Sequence, residues 1–241
     1  MRISDKAVVL QTIKYGEKKL ILKLYTRLNG LITVSAIVGR APSSKLKSST
    51  FLPLTLIDIE LLFKQNKDIH LLTEASCNNV FKGISKNLSK LAIAQFINEI
   101  LIKTLKEQSS NLHLFEFIET CLKFLDDAQD HYINLHIYFL IELTKYIGFE
   151  PKNNYSVRTP YFDCREGQFT IQSLSLPLGL SKDDSFLFTE FLKVNSLKTN
   201  LSNFQRQQLL EILLAYYRLH IPGFNDIKSL EVLKEVLALK L

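Results

Sequence analysis

The sequence predicts an α+β chain of more than one domain: a small β-barrel over residues 1–80, then an α-helical bundle over 81–241. Three observations predict it. Apolar residues recur with period two up to about residue 75 and with period 3.6 after Cys77. The early runs are short and bounded by Gly, Asn, Pro or Ser, as half-buried strands are. The charge is also divided: residues 1–80 hold 12 Lys/Arg against 6 Asp/Glu, which accounts for the whole net charge of +6. That asymmetry suggests one segment facing a polyanion and another built for folding or protein contacts.

Strands are expected at 7–13, 20–25 and 31–38, each nearly alternating. A polar loop, 40–49, follows, where Pro42 and the serines stop the strand. Residues 51–63 form a long apolar run with clear alternation at 55–61, and Pro53 argues for an edge or strand-entry position. Residues 69–75 make a fifth strand. Five short strands with basic connections fit a closed barrel of the OB type. An SH3-like barrel is the rival, and strand count alone does not separate them.

The first helix is expected at 89–107, with Ile93, Ile97, Ile100, Leu101, Thr104 and Leu105 on one side. Asn111 can cap a second, 112–127, with Phe115, Ile118, Leu122 and Leu125 inward. A third covers 132–148 through Leu135, Phe139, Leu143 and Ile147; Gly148 sits where a C-cap glycine belongs and Pro151 blocks continuation. Residues 149–182 form a turn-rich insert, in which 162–169 reads as a hairpin turning at Arg165-Glu166-Gly167 between two aromatics. Helices resume at 183–193, then at 202–220 with Phe204, Leu209, Ile212, Leu213 and Tyr216 toward the core, and at 229–239. Phe81, Phe115 and Phe117 read as core. Of the pair Tyr216-Tyr217, one ring is expected buried and the other partly exposed. Tyr15 and Tyr25 are the natural base-stacking candidates in the basic segment, with core packing the preferred reading of both.

At 46% hydrophobic the chain can bury a real core. No window reaches 18 apolar residues and the first residues carry no signal-like run, so a cytoplasmic location away from membranes is expected. Cys77, Cys121 and Cys164 are too scattered for a disulfide framework or a metal site. The histidines form no HExxH pattern, and neither a phosphate-binding loop nor a nucleophile elbow occurs. The acid pairs Asp126/Asp127 and Asp183/Asp184 sit at helix ends, where they are solvated or satisfy the helix dipole. No enzyme is expected, although site residues converging from distant segments would leave no such trace. Residues 6–47 carry Lys6, Lys14, Lys18, Lys19, Lys23, Arg27, Arg40, Lys45 and Lys47 against one acid, Glu17. This is a candidate phosphate-backbone surface; the alternative is a sheet edge kept soluble by lysines.

Several stretches together resemble the RecO family of bacterial DNA-repair and recombination-mediator proteins. They are the segment from Ala7 to Glu17 (AVVLQTIKYGE), Leu20-Ile-Leu, Leu24-Tyr-Thr, Gly30, Val38-Gly-Arg with Lys45 and Lys47, and Phe51-Leu-Pro-Leu. Further on come Tyr146-Ile-Gly-Phe, Phe162-Asp with Glu166-Gly and Phe169, the segment from Leu209 to Phe224 (LLEILLAYYRLHIPGF), and Lys228-Ser-Leu-Glu-Val-Leu. The likeness covers nearly the whole chain and is nearest to Bacteroidetes-type versions. It implies an OB-fold barrel and a cofactor-free, non-enzymatic mediator associated with the nucleoid. Such a protein binds single- and double-stranded DNA, anneals complementary strands, and with RecR assists RecA on DNA coated by single-strand DNA-binding protein, whose C-terminal tail it contacts. Carried over by position, it implies DNA contact by Lys14, Lys18, Lys19, Lys23, Arg27, Arg40, Lys45 and Lys47, neutralising phosphates without reading sequence. Some members hold the insert with four cysteines on zinc. Here the insert has only Cys164, so no zinc is expected and Tyr161, Phe162 and Phe169 must hold the hairpin. A rival function is a protein-interaction or RNA-binding adaptor using the basic barrel.

Overall fold

The computed structural model describes residues 1–39, 46–63, 67–106, 110–175, 177–193 and 196–238. They fall into two compact units, Met1–Lys86 with Asn98–Asp126, and Asn87–Ile97 with the chain from Asp127 onward.

In the first unit five strands close a barrel: β1 (Arg2–Tyr15), β2 (Lys19–Thr26), β3 (Gly30–Ile37), β4 (Leu56–Leu62) and β5 (Ile69–Asn79). The order around the barrel is β1-β2-β3-β5-β4, with β4 returning to β1. All pairings are antiparallel except β3 with β5. This order, with one parallel pairing, is the OB arrangement and sets the SH3-like rival aside. Alternation works as the sequence suggests: Leu20, Leu22 and Leu24 of β2 and Ile32, Val34 and Ala36 of β3 point inward. Phe51 plugs the core from a single 3-10 turn, Ser48–Phe51, and Thr12 Oγ1 donates to its carbonyl at 2.6 Å.

Residues Ala7, Val8, Val9 and Leu10 are all buried, so both sides of β1 are covered there. The outside is covered by the C-terminal half of helix α2 (Leu88–Thr104) and by α3 (Leu112–Asp127): Asn98 Nδ2 donates to the Leu10 carbonyl at 3.1 Å, and the Tyr25 ring lies 6.4 Å from Phe115. Asn111 caps α3, accepting from the Leu114 amide at 3.0 Å.

A short helix preceding these, α1 (Lys82–Lys86), was not expected; five residues are too few to show a period. It packs closely. A methyl group on Gly83 would meet the Asp126 carbonyl oxygen at 2.0 Å, while Asp126 Oδ1 accepts from the Ile84 amide at 2.8 Å. Alanine normally favours a helix by about 1 kcal/mol over glycine. Gly83→Ala will instead destabilise by about 1–3 kcal/mol, because backbone must move to admit it. Chemical denaturation measures this, and a neutral or stabilising change would show that the contact relaxes freely.

The second unit holds α4 (Leu135–Ile147), a two-stranded hairpin of β6 (Tyr161–Asp163) and β7 (Gln168–Thr170), α5 (Lys182–Phe191), α6 (Asn203–His220) and α7 (Ser229–Ala238). Local signals account for the ends. Gly148 closes α4 at φ 91°, Ser181 accepts from the Asp184 amide, and Ser202 with Gln205 forms a full capping box. Leu209, Ile212, Leu213 and Tyr216 of α6 are buried as expected.

The alternation expected at 55–61 is β4, and Pro53, which lacks an amide hydrogen, sits in the turn that enters it, after Phe51 ends the 3-10 turn. Three expectations need correction. The helix expected from residue 132 starts at Leu135, after Asn134. Phe204 is 74% exposed; it lies five residues before Leu209, about 140° around the helix from that core position. Tyr217 is as buried as Tyr216, because its hydroxyl donates to the Leu140 carbonyl at 2.7 Å and its ring meets Phe224.

Candidate nucleic-acid interface

Beyond Gln11 no helix among the described residues covers the outer side of the barrel, and register defines what it displays. One row across the sheet reads Tyr15, Lys19, Ile37. The next reads Ile13, Ile21, Ser35, Leu71, Leu62. The third reads Gln11, Lys23, Thr33, Ile69. Tyr15 and Ile37 are about two-thirds exposed, and Ile13, Ile69 and Leu71 are also exposed. Together with half-buried Ile21 they form a continuous apolar strip with Lys19 and Lys23 set into it.

The cations named from the sequence divide between places. Lys19 and Lys23 share this face, alternating with buried Leu20, Leu22 and Leu24 on β2. Lys18 is exposed in the β1–β2 turn, where Gly16 takes a positive φ of 76°. Lys14 is exposed at the same end, but pairs with inward-facing Leu20 and so lies on the reverse side of the hairpin. Lys47 is exposed ahead of the 3-10 turn. Arg40 and Lys45 lie outside the described residues. Arg27 is the outlier. It pairs with Glu116 at 3.3 Å and lines a cleft of about 540 Å³ with Asp5, Asp58, Glu60 and Glu74. Arg2 pairs with Glu60 and, at 3.4 Å, with Glu74 on the same side. Asp5, Asp58, Glu60 and Glu74 thus gather at one cleft with Lys6 and Arg27, whereas Lys19 and Lys23 stand on the apolar strip.

Tyr25 is core: burial pushes its phenol up to about 12, which a hydrogen bond to the Asn111 carbonyl only partly offsets. Tyr15 stands out in solvent, with Lys19 Nζ 5.4 Å from its ring centre. The exposed isoleucines could not be singled out from the sequence, because alternation says which residues share a face and not which face is covered.

In the helical unit Arg206, His136 and Cys164 have perturbed surroundings. Arg206 donates to Asn134 Oδ1 at 3.1 Å, to the Leu201 carbonyl at 3.1 Å and to Asn203 Oδ1 at 2.5 Å. The fully buried His136 has no hydrogen-bond partner on either ring nitrogen among the described residues. Burial first, then the Arg206 charge, hold its pKa down at about 3; the backbone of Ile133 pulls weakly the other way without a well-formed hydrogen bond. Cys164 is buried and its thiol is pushed up to about 12 by burial and by Asp163. Among the described residues no three His, Cys, Asp or Glu side chains are grouped as a metal site, and no helix is long and apolar enough to cross a membrane.

A five-strand OB barrel joined to a helical unit with an inserted hairpin defines a class of multi-domain OB proteins. Comparison with known proteins narrows it. The model of the N-terminal region of recombination protein O matches residues 1–81, and the model of its C-terminal region matches 85–231. A "DNA repair protein RecO" of Flavobacterium psychrophilum is 39% identical over 243 residues, covering 98% of this chain and 99% of that one. Its namesake from Flavobacterium johnsoniae is 34% identical over 241 residues, with 98% and 99% covered. That from Bacteroides fragilis is 30% identical over 233 residues, with 95% and 96% covered. The chain belongs to the RecO family of DNA repair proteins.

Proposed function

We propose that this protein is a recombination mediator that binds single- and double-stranded DNA through the barrel and anneals complementary strands. With RecR it assists RecA in loading onto DNA coated by single-strand DNA-binding protein. What carries the reading is the outer face of β1-β2-β3, where Lys19 and Lys23 stand among uncovered apolar side chains, with Lys14, Lys18 and Lys47 exposed on the same unit. Lysines supply sequence-independent phosphate contacts and the apolar strip supplies surface for unstacked bases. Neither role needs a cofactor or a catalytic residue, so the protein acts without catalysis, in the cytoplasm with the nucleoid. Arg40 and Lys45, which lie outside the described residues, are proposed as further phosphate contacts on their charge alone. Arg27 contributes less than its charge suggests, because Glu116 neutralises it. The acidic, aromatic-ended tail of single-strand DNA-binding protein needs an apolar wall beside a cation. We take as the candidate a cleft of about 370 Å³ where Ile133, Leu197 and Leu201 lie beside exposed Lys198.

The test is fluorescence anisotropy with labelled oligonucleotides at several salt concentrations. Lys19→Glu with Lys23→Glu will weaken binding to unrelated sequences alike by about 10- to 100-fold. It will also flatten the salt dependence by about 0.7 per lost contact on single strands. Arg27→Glu will change affinity far less. Unchanged affinity in the double variant would remove this face as the contact. The adaptor reading is favoured by the exposed Ile13 and Ile37, which a protein partner could also cover. It predicts no oligonucleotide binding by the protein alone.

A further inference from the structure

We infer that Tyr15 is a stacking platform for one unpaired base and makes the basic face discriminate single strands from duplex. This rests on the proposed DNA-binding role of the same face. Three observations converge. The Tyr15 ring is 65% exposed at the end of β1, whereas the other tyrosine of the basic strands, Tyr25, is core. Lys19, its direct cross-strand partner, holds its ammonium 5.4 Å from the ring centre. That places a cation over one face of a largely exposed ring, close enough to meet the phosphate of a nucleotide stacked on it. Ile13, two residues back on the same strand, and Ile37, next in the row beyond Lys19, add exposed aliphatic surface to the same sheet face. An aromatic with a cation over its ring and aliphatic side chains on the same face is chemistry for a flat apolar ring carrying a negative charge. A base with its phosphate fits; a duplex, whose bases are already stacked, offers only the phosphate.

The experiment compares a labelled oligothymidine with a hairpin duplex of equal phosphate number, using full-length protein. Tyr15→Ala will weaken oligothymidine binding about 5- to 100-fold and duplex binding less than 2-fold, and Tyr15→Phe will retain both. The chain has no tryptophan, so Tyr15→Trp provides a single reporter whose emission oligothymidine quenches and duplex does not. Equal losses on both DNAs, or none, would overturn the stacking role even though the face binds DNA. So would an unquenched Trp reporter on a protein that binds oligothymidine normally, or quenching by an acidic peptide alone. If the unmodified protein binds neither DNA, the DNA-binding reading fails first, and stacking fails with it.

Discussion

Acidification from pH 7 to about 3 will destabilise the protein by up to about 5 kcal/mol through His136, and His136→Leu will remove that contribution. The sign follows from burial. The folded state holds the imidazole at about 3, against 6.5 for an ordinary histidine. Between those values the unfolded chain binds a proton that the folded chain refuses, so stability falls as pH falls. It is complete above about 6.5, declines by about 1.4 kcal/mol per pH unit below that, and stops declining once the folded imidazole itself takes the proton near 3. At pH 5, before most carboxylates titrate, the loss is already about 2 kcal/mol. The cause is local: neither ring nitrogen has a protein partner among the described residues, the Arg206 guanidinium adds repulsion, and the Phe96 ring edge packs 6.1 Å away. Leucine leaves no buried polar atom unsatisfied, so His136→Leu should match or exceed the parent at pH 7 and keep most of that stability at pH 5. Some slope will remain, because burial also lowers His70, with Asp68 opposing. Urea titrations at pH 7, 6 and 5 decide it; parallel losses in parent and variant would mean that His136 reaches a proton without unfolding.

How much of this was legible in the sequence depended on whether one face or two were covered. Strands β2 and β3 were legible to within a residue or two, because each has one packed face and one wet one, which gives clean alternation. Strand β1 was legible only in its middle. Its first residues carry charges at Arg2, Asp5 and Lys6 that break an apolar pattern but satisfy the sheet: Lys6 lies opposite Asp58, Arg2 pairs with Glu60 and Glu74, and Asp5 accepts from the Leu28 amide and Asn29 Nδ2. On α6 the period identified the core stripe, but the buried arc is wider: Tyr217, one turn after Leu213 at the stripe's edge, is enclosed because Leu140 and Phe224 meet it there. Among the candidate site residues, charge singled out Lys19, Lys23 and Arg27 alike and could not show that Glu116 engages Arg27. Nor could it show that Tyr15 stands free while Tyr25 is enclosed by α3. Those facts depend on which helix covers which end of the barrel, and no local pattern encodes that.

Phe162→Ala will cost about 3–5 kcal/mol, because Phe162 is the centre of the packing that holds the inserted hairpin to the helices. Its ring centre lies 5.0 Å from Phe169 across the hairpin, 4.8 Å from Phe188 on α5 and 5.8 Å from Tyr216 on α6, each edge-on or steeply inclined, an arrangement aromatic pairs prefer. The side chain is 1% exposed, so truncation leaves a cavity and not a wet surface. Backbone ties set the ring in place: the Phe162 amide donates to Ser185 Oγ at 2.8 Å, and its carbonyl accepts from the Leu180 amide at 2.9 Å. On the far side of the hairpin His220 Nε2 meets the Cys164 carbonyl at 2.8 Å, and the Tyr216 hydroxyl donates to the Phe149 carbonyl at 2.7 Å. With these rings at the centre of the packing, the expected loss is large for one side chain. Phe162→Leu keeps much of the volume and should recover more than half of it. Thermal denaturation of the full chain measures both variants, and the parent should melt at the same temperature with and without a chelator. A cost below about 1 kcal/mol for Phe162→Ala, or a melting point that drops with chelator, would show that something other than these rings holds the hairpin.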